Sequence, residues 1–404
     1  MKRIRLKKQA KIFLASFLVT IAVILVGILV TALYVKHTKT LPPILSNIIE
    51  KMTNTEPANL EERLPMNILV LGSDEKQGGR SDTIMLVHIQ KDYQPVVISI
   101  PRDTRVKIEG IEGYSKINAA YAYGKSKLAV KTVEDVLGIK IDKYIAVNYE
   151  AVEKIVDLVG GVDVEVPFHL YYVDTTPGKE LYIDIPAGLQ HLDGKKAVEF
   201  LRWRHNSNGK EYGRGGDLGR IEMQRKLLYA LIEKILKPQN IVRLPVIVQT
   251  VSKYTDHNFT KSEMMWFVQN IGKFNTQNIM MTILPGYPKY INKVSYYILD
   301  TEKCKALIDD LNEPEVLKDS MKVKILAKSI DNKVTQLKSN LESKGYLNVE
   351  LGKVSKLDSS MVELKRINRK YLELLKNDVD LSTYQVAYSP DYTDKFDVYI
   401  KINN

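Results

Sequence analysis

Asn67-Ile68-Leu69-Val70-Leu71, followed at once by Gly72-Ser73-Asp74, reads as an unbroken apolar strand running into a glycine and then into polar side chains. A strand that is apolar on both faces is one covered on both sides, which is what helices packed on a sheet provide. Working outward, Thr83 to Ile89, Val96 to Ile100, Tyr144 to Val147, Val162 to Val166, Leu181 to Ile185 and Met280 to Leu284 repeat the short apolar pattern. Between them lie segments with helical period: Lys125 to Leu137, Tyr149 to Leu158, Gly194 to Leu201, Arg220 to Leu236, Lys261 to Ile271 and Thr301 to Leu311. The alternation predicts an α/β domain, a three-layer α/β/α sandwich, over residues 66–311. The helices Val130 to Leu137 and Val152 to Val159 carry apolar faces that suit either the lining of a cavity or a solid core.

The flanks add two further parts. Residues 1–11 are basic, with Lys2, Arg3, Arg5, Lys7, Lys8 and Lys11, and no acid. Ile12 to Val35 is almost wholly apolar, and at helical rise it spans about 36 Å, enough to cross a bilayer with some tilt. Basic residues stay on the cytoplasmic side, so the reading is a single-pass transmembrane helix with the rest of the chain extracytoplasmic, at the cell membrane. A cleaved signal peptide is the alternative, but the apolar run is long for one and no small-x-small site follows. Residues 36–65, with Pro42, Pro43, Pro57 and Pro65, read as a stalk. Residues 321–404 read as a small C-terminal α/β module: strands at Val323 to Ala327, Val349 to Val354 and Phe396 to Ile402, a helix from Val334 to Lys344 stopped at Gly345, and a second helix from Met361 to Leu375. No catalytic motif stands out in it.

Composition narrows the partners. With 404 residues the chain is long for one domain, and 59 Lys and Arg against 48 Asp and Glu give a net charge of +11. A basic balance suits an anionic partner, whether phosphate, anionic lipid, nucleic acid or acidic polymer. The single cysteine, Cys304, excludes an intrachain disulfide and a cysteine-based metal site, and reads as a buried structural thiol. The six histidines lack zinc-site spacing.

Polar chemistry concentrates in four stretches beside strand ends or helix boundaries. In the first, Gly72-Ser73-Asp74 continues to Gly78-Gly79-Arg80-Ser81-Asp82-Thr83. Asp74 and Asp82 could hold a hard divalent cation such as Mg²⁺, or serve as turn and cap residues. No Lys-Ser/Thr follows the glycines, so this is not a P-loop. In the second, Ser99-Ile100-Pro101-Arg102-Asp103-Thr104-Arg105, two guanidinium forks follow a buried strand. They match phosphate oxygens, or pair with Asp103 for structure. The third, Lys116-Ile117-Asn118-Ala119-Ala120-Tyr121, opens a helix, where Lys116 could reinforce an anion site or lie solvated on the surface. The fourth runs Arg202-Trp203-Arg204-His205, then Arg214, Asp217-Leu218-Gly219-Arg220 and Gln224, with Arg202 and Arg204 on one side if the segment is extended. Outside the membrane, nucleic acid is an improbable partner for such a cluster. Arginines from separate segments beside two carboxylates predict a pyrophosphate site, because charge neutralisation is the main need of phosphoryl transfer.

These stretches, with Gly160-Gly161-Val162, resemble in content and order the LytR-CpsA-Psr proteins of bacterial envelopes, over roughly residues 66–310. The resemblance implies an α/β/α domain with an apolar cavity for a polyprenyl tail. It also implies a phosphotransferase that moves teichoic acid, capsule or a similar glycopolymer from an undecaprenyl-pyrophosphate carrier to peptidoglycan, supported by Mg²⁺ or Mn²⁺. By position, Asp74 and Asp82 would take the metal. Arg80, Arg102, Arg105, Lys116, Arg202, Arg204, Arg220 and Gln224 would hold the pyrophosphate, with Asp82, Arg102, Arg204 and Arg220 as the catalytic set. One position departs from the pattern: Met223 stands where a second arginine is usual, unless Arg225 reaches in from the next turn. A hydrolase using water as acceptor, or a non-enzymatic wall-polymer-binding or regulatory module, are the competing functions. The C-terminal module only weakly resembles one attached to some members.

Overall fold

The computed structural model describes residues 58–74, 79–177, 180–203, 205–207, 216–237, 240, 243–270, 273–274 and 279–404. The basic tail, the apolar segment Ile12 to Val35 and the stalk as far as residue 57 lie outside the described residues. Among the described residues no helix is long and apolar enough to cross a membrane.

Along the chain the first elements are β1 (Met66–Asp74), β2 (Arg80–Ile89), β3 (Pro95–Ser99), β4 (Arg105–Val106), β5 (Ser115–Lys116), α1 (Ala119–Leu137) and β6 (Lys143–Asn148). Then come α2 (Tyr149–Leu158), β7 (Val162–Val166), β8 (Leu170–Asp174), β9 (Leu181–Ile185), β10 (Gly188–Leu192), α3 (Gly194–Arg202), α4 (Gly216–Leu236), α5 (Leu244–Tyr254), β11 (Thr255–His257) and α6 (Lys261–Asn270). β12 (Met280–Ile283), β13 (Gly286–Ile291), β14 (Val294–Leu299) and α7 (Thr301–Asp310) follow. The C-terminal part holds β15 (Lys322–Ala327), α8 (Asn332–Ser343), β16 (Asn348–Lys353), β17 (Met361–Leu364), α9 (Lys370–Asp378), β18 (Gln385–Tyr388) and β19 (Val398–Ile402). The chain is thus mixed α/β, divided between two compact units.

The larger unit, 63–149 with 255–258 and 276–404, is built on a six-stranded mixed sheet ordered β11-β6-β1-β2-β3-β12. β1 pairs parallel with β6 and antiparallel with β2. One face is sealed by Leu69, Leu71, Ile84, Leu86, Val96 and Ile98 against Ala129, Val133 and Leu137 of α1 and Cys304, Leu307 and Ile308 of α7. Met66, Ile68, Met85 and Val97 alternate with that set and are buried too, which is why these strands read as continuously apolar. Cys304 is the buried thiol the sequence suggests: its Sγ donates to the Pro285 carbonyl, and burial pushes its pKa up to about 11.

α1 begins at Ala119, six residues before the expected start at Lys125. The reason is a kink: Gly124 and Lys125 leave helical geometry, Lys125 at φ 54, so two helical pieces share one axis label. A side chain at position 124 would collide with Leu128, its Cβ falling 2.5 Å from that of Leu128. At the other end Gly138 adopts φ 69 and its N–H closes on Glu134, a left-handed stop.

Residues 322–402 form a second sheet of this unit, ordered β16-β15-β19-β17-β18, with its own core of Val323, Ile325, Leu341, Val362, Leu364, Leu375 and Ile400. The expected helix Met361 to Leu375 is not one element. Met361–Leu364 is a strand, paired antiparallel with β19 and parallel with β18, and the helix runs only from Lys370 to Asp378. Val362 and Leu364 are both fully buried, a period-2 pattern that an apolar tally over a longer window blends into a helical one. Asn368 marks the boundary: its Oδ1 accepts from Lys370 N and its Nδ2 donates to the Pro314 carbonyl. Ile367 and Tyr392 of this segment are buried in the core of the first sheet.

The smaller unit, from residues 150–254 and 259–275 with the described residues up to 62, packs two antiparallel ladders, β7–β10 and β8–β9, with α2 to α6. Val156, Val164, Ile183, Phe200, Trp203, Leu227, Ile247 and Met265 form its core. α3 is capped by Asp193, which accepts from Lys196 N at 2.8 Å.

Candidate functional site

The site of the larger unit starts from a glycine. Gly72 faces Thr83 across the β1–β2 pair, and a Cβ there would lie 2.8 Å from Thr83 Cβ, so no other residue allows this close approach. One step further the register breaks: Gly72 pairs with Thr83 but Ser73 pairs with Ser81. Asp82 is the extra residue. A bulge re-aims the side chain it carries, and the Asp82 carboxylate meets Arg102, whose Nη1 donates to Oδ1 at 2.9 Å.

Arg102 and Asp103 occupy the middle of a turn closed by Thr104 N to the Pro101 carbonyl at 3.0 Å, with the Thr104 hydroxyl on the same oxygen. Asn118 N donates to the Arg102 carbonyl and Tyr297 N to the Asp103 carbonyl, so two other segments fix the turn. Asp103 in turn accepts Lys116 Nζ at 2.8 Å and lies 3.9 Å from Arg102 Nε. Acid and base therefore alternate: Asp82, Arg102, Asp103, Lys116. All four side chains are between 16% and 27% exposed, sheltered enough for charge to matter and open enough for a ligand. Three buried polar atoms on the same motifs, Ser81 Oγ, Ser99 Oγ and Asn118 Oδ1, have no hydrogen-bond partner among the described residues.

Arg105, on β4 opposite Lys116, has different neighbours. Its guanidinium lies 3.6 Å from the centroid of Tyr114 and 5.8 Å from that of Tyr296, and it has no carboxylate partner among the described residues. Arg80 is exposed at the edge of β2, opposite Asp74 in the ladder; the side chain of Asp74 lies outside the described residues. Among the described residues no group of three or more His, Cys, Asp or Glu side chains gathers as a metal cage.

In the smaller unit Arg202 is the last residue of α3 rather than part of an extended segment. Trp203 after it is fully buried, with Nε1 donating to Asn206 Oδ1 at 2.8 Å, while Phe168 packs edge-on against its ring. Burying that indole is what draws the chain out of the helix. Arg204 lies outside the described residues. Arg220 lies within α4, its side chain outside them, and Gln224 on the same helix is buried.

The family model described as "LytR_cpsA_psr family" matches residues 32–313. The chain belongs to the LytR-CpsA-Psr family. It is 30% identical over 312 residues to the polyisoprenyl-teichoic acid–peptidoglycan teichoic acid transferase TagU of Bacillus subtilis, covering 76% of this chain and 97% of that one. It is 31% identical over 249 residues to the corresponding TagV of Bacillus subtilis, covering 60% of this chain and 62% of TagV. The crystal structure of B. subtilis TagV superposes with a TM-score of 0.52 at 30% identity, over 62% of this chain and 98% of that chain.

Within this LytR-CpsA-Psr chain the structure brings together Asp82, Arg102 and Lys116, and adds Asp103, which sequence reasoning treated only as a partner for Arg102. The stretch from Lys116 does open a helix, α1 at Ala119, with Lys116 itself on β5, three residues before it begins. Met223, at the position usually held by arginine, is 2% exposed in the core of the smaller unit with Phe200 and Trp203. The departure is thus an apolar side chain in an apolar place. Tyr114 and Tyr296 were missed as well. Their signal was an arginine with aromatic residues nearby in the fold, which only the pairing of β4 with β5 and the path of β14 reveal.

Proposed function

We propose that this chain is a phosphotransferase that moves a glycopolymer such as a teichoic acid from an undecaprenyl-pyrophosphate carrier to peptidoglycan. The observation that carries the reading is the alternating network built on the bulge at Asp82 and the turn at Arg102, on a chain of this family. In the transfer, a hydroxyl of the wall attacks the polymer-proximal phosphorus and the bond to the lipid phosphate breaks. Arg102 stands where it can trade its bond with Asp82 for phosphate oxygens, and Lys116 can do the same from Asp103. Both cations are already held at the site, so charge that develops on the leaving phosphate meets donors after only a change of partner.

Asp82 also fits a hard divalent cation: it offers carboxylate oxygens at the mouth of a phosphate site, and such ions need only one or two carboxylates when phosphate and water complete the shell. Asp82, with Asp74 from the facing strand, would hold Mg²⁺ or Mn²⁺. When bound, that ion supplies further neutralisation of phosphate charge. The buried opposite face of the main sheet supports a three-layer α/β/α arrangement. The basic tail and apolar segment before residue 36 support an anchor in the lipid bilayer, with the catalytic part outside the cell membrane. Arg80, exposed at the start of β2 in the same unit, would add a phosphate contact.

The test is reconstitution of the full chain with a polyprenyl-pyrophosphate-linked oligosaccharide, peptidoglycan and Mg²⁺. Sugar covalently bound to the wall is the expected product, and Arg102→Ala lowers its rate on the order of a hundredfold or more. Wild-type activity retained by Arg102→Ala, or free sugar phosphate as the only product, would refute the transferase reading.

A further inference from the structure

The hairpin β13–β14 carries a surface that the phosphate network does not use. Its register places Tyr287, Lys289 and Ile291 on one face, with Val294, Tyr296 and Ile298 beside them. Lys289 is directly opposite Tyr296, and Tyr287 is its diagonal neighbour at about 7–8 Å. Tyr287 is 52% exposed and Tyr114, on the far side of Arg105, is 49% exposed. Arg105 lies between Tyr114 and Tyr296, and Lys107 lies 5.6 Å from the Tyr114 ring centroid. Arg105, Lys107 and Lys289 form no ion pair among the described residues, although Glu109 and Glu112 belong to the loop joining β4 and β5. The result is an open strip of three tyrosine rings interleaved with three uncompensated cations.

Such a strip has a chemical preference. The C–H bonds on a sugar face carry partial positive charge and are drawn to the negative face of an aromatic ring, while guanidinium and ammonium groups take phosphate. An arginine held against tyrosines keeps the edge of its fork available for an anion. The strip is also continuous with the site. Tyr297 donates to the Asp103 carbonyl, Thr104 bridges to Tyr297, and Arg105 follows Arg102 by three residues, about 10 Å of extended chain at most.

We propose that this strip, Tyr287, Lys289, Tyr296, Arg105 and Tyr114, binds the first sugar-phosphate repeats of the donor polymer where it leaves the pyrophosphate. The inference rests on the transferase reading and gives that site a specificity for anionic chains. The uncompensated cations favour the phosphate-bearing donor over the acceptor glycan as the occupant.

The experiment compares two donors with the full-length protein: a polyprenyl pyrophosphate carrying one disaccharide, and the same carrier extended by several phosphodiester-linked repeats. Wild type should show the lower KM for the long donor, with the preference fading as salt rises. Tyr287→Ser and, separately, Lys289→Glu should each raise KM for the long donor about tenfold more than for the short one. Lys289 is exposed, so the effect of Lys289→Glu does not depend on the hairpin tolerating the loss of a ring. Unaltered donor preference in both variants overturns the inference and leaves the transferase reading standing. A rise in KM for the peptidoglycan acceptor instead overturns it by giving the strip to the other substrate. A wild type that turns over neither donor removes the transferase reading, and the inference with it.

Discussion

At the scale of single residues, the site depends on Gly72 having no side chain. Its Cβ position is taken by Thr83, and the bulge that turns Asp82 toward Arg102 begins at the next pair. Gly72→Ala should therefore cost stability, about 1–3 kcal/mol for an overpacked contact, and should lower transfer activity by displacing the bulge. Thermal unfolding and the reconstituted assay read the two effects separately. A variant as stable and active as wild type would mean that the strands can part at that point at no cost. Arg102→Lys makes a contrasting case. The charge remains to face Asp82, so unfolding should shift by less than about 1 kcal/mol. The planar fork is gone, so activity should still fall at least tenfold. A lysine variant of full activity would show that point charge suffices and that fork geometry at Arg102 does not matter.

At the scale of elements, β1, β2 and β3, which position the site, were legible because apolar residues on both of their faces are buried. β7, β9 and α2 have the bounds the sequence predicts, and β1, β2 and β3 differ only at their ends. Two kinds of element were not legible. In 361–375 a four-residue strand and a nine-residue helix follow each other so closely that their apolar residues imitate one helical stripe. In 286–299 the strands are short, contain Pro288 and Lys289, show no regular apolar alternation, and turn on Asn292-Lys293, which lacks the glycine that marks most two-residue hairpins. Both turn residues have positive φ, 49° and 65°, as a type I′ turn requires. Asn292 tolerates that region, whereas Lys293 does not favour it. Lys293→Gly should therefore stabilise the protein by about 0.5–1 kcal/mol, visible as a raised unfolding midpoint in denaturant. A lowered midpoint would mean that this turn is held by contacts of the lysine side chain. Of the site itself, Asp82, Arg102 and Lys116 were legible as charged residues close to strand ends. The pairing of Asp103 with Lys116, and of Arg105 with two tyrosines, was not, because partners from three segments meet only in three dimensions.

At the scale of the whole chain, the family match ends at residue 313, yet residues beyond it complete the core of the larger unit. The joint is polar as well as apolar. Tyr392 donates to Asp310 at the end of α7, Arg366 lies 5.0 Å from the Tyr392 ring centroid, and Arg366 pairs with Asp397 at 2.9 Å. Burial pushes the Asp310 carboxyl up to about 6, against the opposing pull of the Tyr392 hydroxyl and Arg366, while Asp397 and Asp309 add to the rise. A raised carboxyl means that the folded chain holds a proton the unfolded chain has already released. The stabilisation from this group is thus complete below pH 4 and is lost as pH climbs through 6, a difference of about 3 kcal/mol in the limit. Above pH 6 the folded protein keeps a buried carboxylate at a cost. Asp310→Asn keeps an acceptor for Tyr392 and removes the charge. It should unfold several degrees higher than wild type at pH 7.5, and this advantage should shrink steadily as pH falls from 6 to 4. The measurement is the difference between the two unfolding temperatures at constant ionic strength, because acids elsewhere titrate equally in both proteins and cancel. A constant difference across that range would mean that Asp310 keeps its charge in the folded protein, so that Arg366 and Tyr392 outweigh burial where the C-terminal segment meets the first sheet.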